Sequence, residues 1–225
     1  MKKGILFDLD GVLLSTEQLH FRAWAALARR LGVPFDQEQG DRCRGVSRMD
    51  SLEILLERSP LVFSPQEKLR LAQEKNDCYR AMLRKLTPAD LPEETAAVLR
   101  ALRGRGYRLG LASASKNAPL ILEKTGLGPL LDGGADGNDV TRSKPHPEVF
   151  LKAAQSLGLA PSDCIGVDDA VAGVEAARAA GMLAAALGPA ARAGLGDWNL
   201  ETLSQLLDRC PELEGTVHHD PTDRM

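Results

Sequence analysis

A short apolar run that ends in two carboxylates constrains this chain more than any other feature. Ile5-Leu6-Phe7 reads as a buried β-strand that runs out into Asp8-Leu9-Asp10-Gly11-Val12-Leu13. Side chains of an extended chain alternate between faces, so Asp8 and Asp10 are aimed together where the strand leaves the core. Two anions held side by side repel each other. A fold tolerates that where a cation sits between them or one carboxyl keeps its proton. The plainer alternative is a strand that closes in a polar turn. Against it stand the polar and charged groups at later strand ends.

Behind that strand the pattern changes. Residues 17–31 predict a helix, capped by Ser15 or Thr16 and ended by Gly32, with His20, Trp24, Leu27 and Leu31 on one face. Shorter helices are expected at 36–42 and 48–58. A longer one is expected at 65–86, with Pro65 in its first turn and Leu69, Ala72, Tyr79, Met82, Leu83 and Leu86 as its buried stripe. From residue 93 strands and helices alternate: a helix at 93–104, a strand at 107–112, a helix at 118–125, a short strand at 130–135, a helix from about 147, a strand at 164–167, a helix at 170–180 and a strand at 182–187. Such alternation predicts an α/β fold, a Rossmann-like parallel sheet covered on both sides. The helical stretch then reads as an insertion: residues 1–14 and 88–225 form the core domain, and 15–87 a helical cap. Ligands of such sheets bind outside the carboxyl ends of the strands, and Asp8, Ser113, Lys144 and Asp169 all fall at or just beyond such ends. The reading weakens from residue 188. A surface helix is expected at 200–210, and His218-His219 read as solvated tail.

Length and charge exclude several classes. At 225 residues the chain holds one large domain or a domain with an insert, and a net charge of −3 argues against nucleic-acid or anionic-membrane binding. No apolar run approaches membrane-spanning length, and Met1-Lys2-Lys3 leads straight into a strand, unlike a signal peptide. Cys43, Cys78, Cys164 and Cys210 are far apart and suit free thiols in a reducing compartment. A cytoplasmic monomer is the expectation.

The stretch from Gly4 to Leu13 resembles the first motif of the haloacid dehalogenase superfamily. Ser113 after the strand at 107–112, Lys144 in Ser143-Lys144-Pro145, and Asp168-Asp169 at another strand end follow in that superfamily's order. The resemblance implies that Asp8 is a phosphoryl-accepting nucleophile and Asp10 a general acid and base. It also implies that Ser113 and Lys144 hold the transferring phosphate. Asp169, Asp8 and the backbone carbonyl of Asp10 would bind Mg²⁺, with Asp168 joining directly or through water. Asp168 and Asp169 could alternatively cap the following helix.

Further segments are similar to the β-phosphoglucomutase family: residues 16–24, Gly45-Val46-Ser47-Arg48-Met49-Asp50-Ser51, Lys75-Asn76-Asp77, and Ala112-Ser113-Ala114-Ser115-Lys116-Asn117. That family interconverts β-glucose 1-phosphate and glucose 6-phosphate through β-glucose 1,6-bisphosphate. A bisphosphate needs two anion sites, and the resemblance assigns the second to Arg48 with Ser115, Lys116 and Asn117. Thr16, Gly45, Val46, Ser47, Ser51, Lys75, Ser113, Ala114 and Lys144 join them as substrate-binding positions. His20 would couple sugar binding to closure of the cap and to proton transfer. Ser15, the linker Leu91-Pro92-Glu93 and residues 188–197 depart from the family pattern. The implied function is a Mg²⁺-dependent phosphomutase acting on small sugar phosphates. A sugar-phosphate phosphatase is the alternative on the same scaffold, and a non-catalytic sugar-phosphate-binding module is the third.

Overall fold

The computed structural model describes residues 2–43 and 47–213. The chain divides into two compact units. Residues up to Leu14 and from Thr87 onward form an α/β unit, and Ser15–Leu86 forms a helical unit. Thr87, expected to end the insert, lies in the α/β unit.

In the helical unit, α1 (Glu17–Leu31), α2 (Gln37–Arg42), α3 (Arg48–Leu56) and α4 (Pro65–Leu83) surround a core. That core is built from Trp24, Leu27, Ala28, Val33, Leu52, Leu55, Leu71 and Ala72. Helix α4 starts as its sequence dictates. Ser64 Oγ accepts from the Glu67 amide, the Glu67 carboxylate accepts from the Ser64 amide, and Pro65 fills the first turn. Its buried stripe differs from the expected one. Leu69 is 61% exposed, and the inward positions are Leu71, Ala72, Lys75, Asn76, Tyr79 and Leu83. Two polar residues therefore stand in the apolar row, and a reading by hydrophobicity alone rotates the helix away from them. Thr16 occupies the N-cap of α1 without its side chain bonding there. Its hydroxyl shares a 2.8 Å hydrogen bond with the Tyr79 hydroxyl instead.

The α/β unit holds, among the described residues, a six-stranded sheet in which every pair is parallel. Its strands are β1 (Gly4–Phe7), β2 (Arg108–Ala112), β3 (Gly133–Ala135), β4 (Cys164–Asp168), β5 (Leu183–Ala186) and β6 (Trp198–Asn199), in the order β3-β2-β1-β4-β5-β6. The winding runs outward from β1 through β2 to β3, then returns to place β4 on the other side of β1. The point where the order reverses lies between β1 and β4, and this is where ligands of open parallel sheets bind. Ile5, Leu6 and Phe7 are fully buried, as expected of a strand covered on both faces. The helices of this unit are α5 (Glu93–Gly104), α6 (Ala118–Thr125), α7 (Glu148–Ser156), α8 (Val171–Ala179), α9 (Gly188–Arg192) and α10 (Leu206–Arg209). Helices α7 and α8 press close to the sheet: a Cβ added at Gly166 would lie 2.6 Å from Ala177 Cβ and 3.0 Å from Phe150 Cε1.

Differences from expectation cluster late in the chain. Residues Gly128–Leu130 form a 3₁₀ turn, which shortens β3. The expected helix at 200–210 is a 3₁₀ turn followed by the four-residue α10. Helix α9 and strand β6 are too short to leave a periodic signal. Among the described residues no helix is long and apolar enough to cross a membrane.

Candidate active site

Sheet register assembles the first cluster. Phe7 pairs with Leu111 on one side and Val167 on the other, which sets positions 8, 112 and 168 level at the carboxyl ends of the three strands. The Asp8 amide donates to the Val167 carbonyl at 2.9 Å. Ser113 lies one residue past its strand, and Lys144 enters from the loop after β3.

Lys144 joins the carboxylates. Its Nζ donates to Asp8 Oδ1 at 2.5 Å and to Asp168 Oδ2 at 2.7 Å, and it lies 5.2 Å from the centroid of the buried Phe150 ring. The side chains of Lys144, Asp8 and Asp168 are 10%, 13% and 2% exposed. Ligand oxygens of Asp8, Asp168 and Asp169 all lie within 4.8 Å of one another. Two carboxylates thus hold one ammonium, and a third carboxylate lies in the same cluster. Burial, opposed by Lys144 and helped by Asp168 and Asp169, raises the Asp8 carboxyl to about 7. Burial works against the Lys144 charge, but Asp168 and Asp8 outweigh it and hold that ammonium above the ordinary lysine value. The surplus negative charge and the all-oxygen donor set fit a hard divalent cation such as Mg²⁺.

Glycines make room for this crowding. Gly11 has φ +92°, and a Cβ there would meet Asp169 Oδ2 at 2.2 Å; at Gly173 a Cβ would lie 1.9 Å from Asp168 Cγ. The turn after β1 closes through Gly11 N to Leu14 O at 2.8 Å and Leu13 N to Leu9 O at 3.0 Å, with Asp10 half-buried on it. Asp168 Oδ1 accepts from the Ala170 amide at 3.0 Å, a local turn, and the N-cap of α8 is Ala170 with no side-chain bond. Ala170, and neither aspartate, stands at the N-cap position of that helix.

Residues 113–117 form a tight turn beyond β2. The buried Ser113 Oγ accepts from the Ser115 amide at 3.2 Å, and Ser115 Oγ accepts from the Asn117 amide at 3.2 Å. Each hydroxyl keeps its own proton available for an anion. Asn138 Nδ2 braces the turn by donating to the Lys116 carbonyl at 3.1 Å. Asn117 is buried, while Ala114 and Lys116 are exposed.

A second polar cluster lies inside the helical unit. Lys75, only 3% exposed, has its Nζ 2.8 Å from His20 Nδ1 and over the rings of Trp24 (4.6 Å) and Tyr79 (5.0 Å). The His20 and Tyr79 rings are 4.0 Å apart. Burial, then Lys75 and Arg48, lowers His20 to about 3. The imidazole is therefore neutral, accepts from the ammonium at Nδ1, and carries its own proton at Nε2. Ser47 caps α3 through the Asp50 amide, and Ser51 donates to the Ser47 carbonyl, so both hydroxyls are engaged locally. Arg48 opens that helix, half-buried.

The structure thus gathers Asp8, Lys144, Asp168 and Asp169 in one unit, with Asp10 on the turn after β1 and Ser113 just past β2. It gathers Thr16, His20 and Lys75 in the other. Gly45, Val46, His218 and His219 lie outside the described residues. Sequence reasoning missed the polar role of Tyr79, which joins Thr16, His20 and Lys75. Its spacing of four from Lys75 was the available signal.

Comparison with known proteins follows the same lines. Residues 2–181 match the family model of the haloacid dehalogenase-like hydrolases. A β-phosphoglucomutase of Bacillus subtilis is 37% identical over 83% of this chain and 83% of its own. A fructose-1-phosphate phosphatase of Escherichia coli is 32% identical over 80% of this chain and 93% of its own. The crystal structure of β-phosphoglucomutase from Clostridium difficile superposes with a TM-score of 0.81 at 35% identity, covering 92% of this chain and 93% of the other.

Proposed function

The chain belongs to the haloacid dehalogenase-like hydrolase family, and from that premise we propose that it is a phosphomutase. It interconverts β-D-glucose 1-phosphate and D-glucose 6-phosphate through a phospho-aspartyl enzyme and β-glucose 1,6-bisphosphate. An Asp8 oxygen forms the bond to phosphorus as the bond from phosphorus to the sugar oxygen breaks, and Asp10 gives that departing oxygen its proton. In the other half, the 6-hydroxyl of β-glucose 1-phosphate attacks the aspartyl phosphate, the bond from phosphorus to Asp8 breaks and Asp10 takes the hydroxyl proton. The bisphosphate so formed turns around and gives its 1-phosphate to Asp8, releasing glucose 6-phosphate. Lys144, between Asp8 and Asp168, lowers the charge the incoming phosphate meets, and the Ser113 hydroxyl donates to a phosphate oxygen. Asp8, Asp169, the Asp10 carbonyl and Asp168 would hold Mg²⁺, which neutralises charge on phosphate and carboxylate when bound. Ser115, Lys116 and Asn117 serve the distal phosphate, and Arg48 is assigned to the same phosphate by resemblance.

The observation that favours a mutase over a hydrolase is the buried pair of Lys75 and neutral His20. An ammonium taken out of water is costly to fold around. Its N–H groups, and the Nε2 proton of His20, suit the oxygens of a sugar phosphate. Water activation needs neither. Similarity to the two mutases points the same way, while the E. coli relative keeps a sugar-phosphate phosphatase as the second reading. The deciding assay supplies β-glucose 1-phosphate, a trace of the bisphosphate and Mg²⁺. Glucose 6-phosphate in proportion to substrate consumed is expected. Stoichiometric inorganic phosphate without glucose 6-phosphate would overturn the mutase assignment.

A further inference from the structure

The long loop that carries Lys144 is held by a residue that the proposed chemistry does not use. Between Ala135, the end of β3, and Glu148, the start of α7, the chain runs through residues 136–147 without regular structure. A loop of that length is ordered only if something ties it down. Glu148 does so from the first turn of α7. Its Oε1 accepts from the Thr141 amide at 3.1 Å and its Oε2 from the Arg142 amide at 2.9 Å. The Thr141 hydroxyl reaches both oxygens, at 3.3 and 3.1 Å. The Glu148 amide donates to His146 Nδ1 at 3.2 Å, and the His146 amide to the Ser143 carbonyl at 3.0 Å. Two residues along the same helix, the buried Phe150 ring lies under the Lys144 ammonium. Further on, Lys152 donates to the Asp139 carbonyl. Residues 141–148 therefore form a closed staple, with Lys144 at its middle.

We infer that Glu148 is a positioning residue for phosphoryl transfer: by fixing the backbone on both sides of Lys144, it sets the ammonium between Asp8 and Asp168. A lysine has four rotatable side-chain bonds and reaches many places from a loose backbone. A bond of 2.5 Å to one carboxylate and 2.7 Å to another requires the backbone to be fixed first. The Glu148 carboxyl is itself held low, to about 2, by the Thr141 amide first, then by the Arg142 amide, the Thr141 hydroxyl and Lys152, against the effect of burial. It stays an acceptor for every proton aimed at it. Loss of such supporting partners costs roughly 10–100-fold in activity at comparable sites.

This inference rests on the phosphoryl-transfer reading above, and a double-mutant cycle with two readouts separates them. Glu148→Ala is made in the native background and in Lys144→Ala. The turnover of β-glucose 1-phosphate and, separately, the calorimetric affinity for inorganic phosphate in Mg²⁺ are measured for all four proteins. A staple acting through Lys144 predicts about a 10–100-fold loss in turnover in the native background and less than about twofold in the Lys144→Ala background. Phosphate affinity is expected to show the same non-additivity. Equal losses in both backgrounds would overturn the inference, because a purely structural role is additive. If Glu148→Ala does not fold, Glu148→Gln runs the same cycle, keeping one acceptor oxygen and losing the other. A native enzyme that binds phosphate but turns over no sugar phosphate would sink the functional reading, and the phosphate cycle would still decide on Glu148.

Discussion

Each unit of this protein buries a lysine, and the two lysines live in opposite surroundings. Lys144, in the α/β unit, is bonded to the carboxylates of Asp8 and Asp168. Lys75, in the helical unit, meets a neutral imidazole and two aromatic faces. Around the first, negative charge is in excess, since Asp169 also lies in the cluster. Around the second, burial first, then the Lys75 and Arg48 charges, keep His20 from protonating. The difference shows how one residue type serves two tasks. A lysine among carboxylates tempers a nucleophile and the phosphate it meets. A lysine seated beside a neutral imidazole and aromatic rings suits the oxygens of an anionic ligand.

The largest effect that can test this contrast is loss of the nucleophile. Asp8→Asn keeps the shape and deletes the oxygen anion that attacks phosphorus. Turnover is expected to fall by about 10⁴-fold or more, since removing a covalent nucleophile leaves only binding and electrostatics. Phosphoryl-enzyme should be undetectable after incubation with a phosphodonor. Substantial residual turnover, with a labelled aspartate elsewhere, would move the chemistry away from the Lys144 cluster.

Next in size comes the exchange of each lysine for an uncharged chain of similar volume. Lys144→Met leaves Asp8 and Asp168 facing each other, and removing one member of a buried ion pair typically costs about 3–5 kcal/mol. Lys75→Met removes a buried ammonium and leaves His20 Nδ1 without that donor, so its stability cost is expected at about 1–3 kcal/mol, below that of Lys144→Met. Both variants lose activity, Lys144→Met by about 10²–10³-fold, the size seen when one preorganised charge-stabilising donor is removed. Equal destabilisation of the two proteins in urea would break the comparison.

The pH dependence of stability should also run in opposite directions. In metal-free protein the Asp8 carboxyl is raised from 3.8 to about 7. The folded form then holds a proton the unfolded chain has released. This group's contribution is full below pH 3.8 and is lost as pH rises to about 7. His20 is lowered from 6.5 to about 3. Its contribution is full above pH 6.5 and is lost as pH falls toward 3. The protein's two tryptophans allow a separate view of each unit, because Trp24 lies in the helical core and Trp198 in β6. Unfolding in chelator, read by Trp24 in a Trp198→Phe background, should lose stability on acidification, and His20→Gln should flatten that loss. Read in the α/β unit, stability should decline from pH 4 to 7, and Asp8→Asn should flatten the decline. Added Mg²⁺ should restore the α/β unit at neutral pH by mass action. Slopes of the same sign in both units would be the wrong result.

What could be read from the sequence follows the same division. The α/β unit announced itself because apolar strands run directly into polar ends: β1 into Asp8, β4 into Asp168. Register then delivers both to one place. Lys144 was legible only through resemblance, because a lone lysine in a loop carries no signal of its own. Its fixing by Glu148 depends on hydrogen bonds to backbone amides, which composition cannot report. In the helical unit the difficulty was reversed. Lys75 and Asn76 look like part of a charged surface helix, and Leu69 looks like core, yet Lys75 and Asn76 face inward with Leu71, Ala72, Tyr79 and Leu83 while Leu69 is exposed. Hydrophobic periodicity places a helix well when its buried face is apolar, and misplaces it where function requires burying a charge.

The smallest effect tests the neutral part of the second cluster. Tyr79 bonds Thr16 through hydroxyls and stacks on His20 through its ring. Tyr79→Phe keeps the stack and removes one hydroxyl, leaving the buried Thr16 side chain without that bond, at a cost of about 1 kcal/mol. Thr16→Val alone should cost a similar amount. The double variant should recover most of the loss, because replacing both partners by apolar groups removes the desolvation penalty along with the bond. If the bond serves only to seat the ring, His20 keeps its low affinity for protons in all three variants. Its NMR titration should then stay absent between pH 5 and 8. A His20 that begins to titrate near 6.5 in Tyr79→Phe would show that the hydroxyl pair, and not the lysine and the surrounding burial, keeps the imidazole neutral.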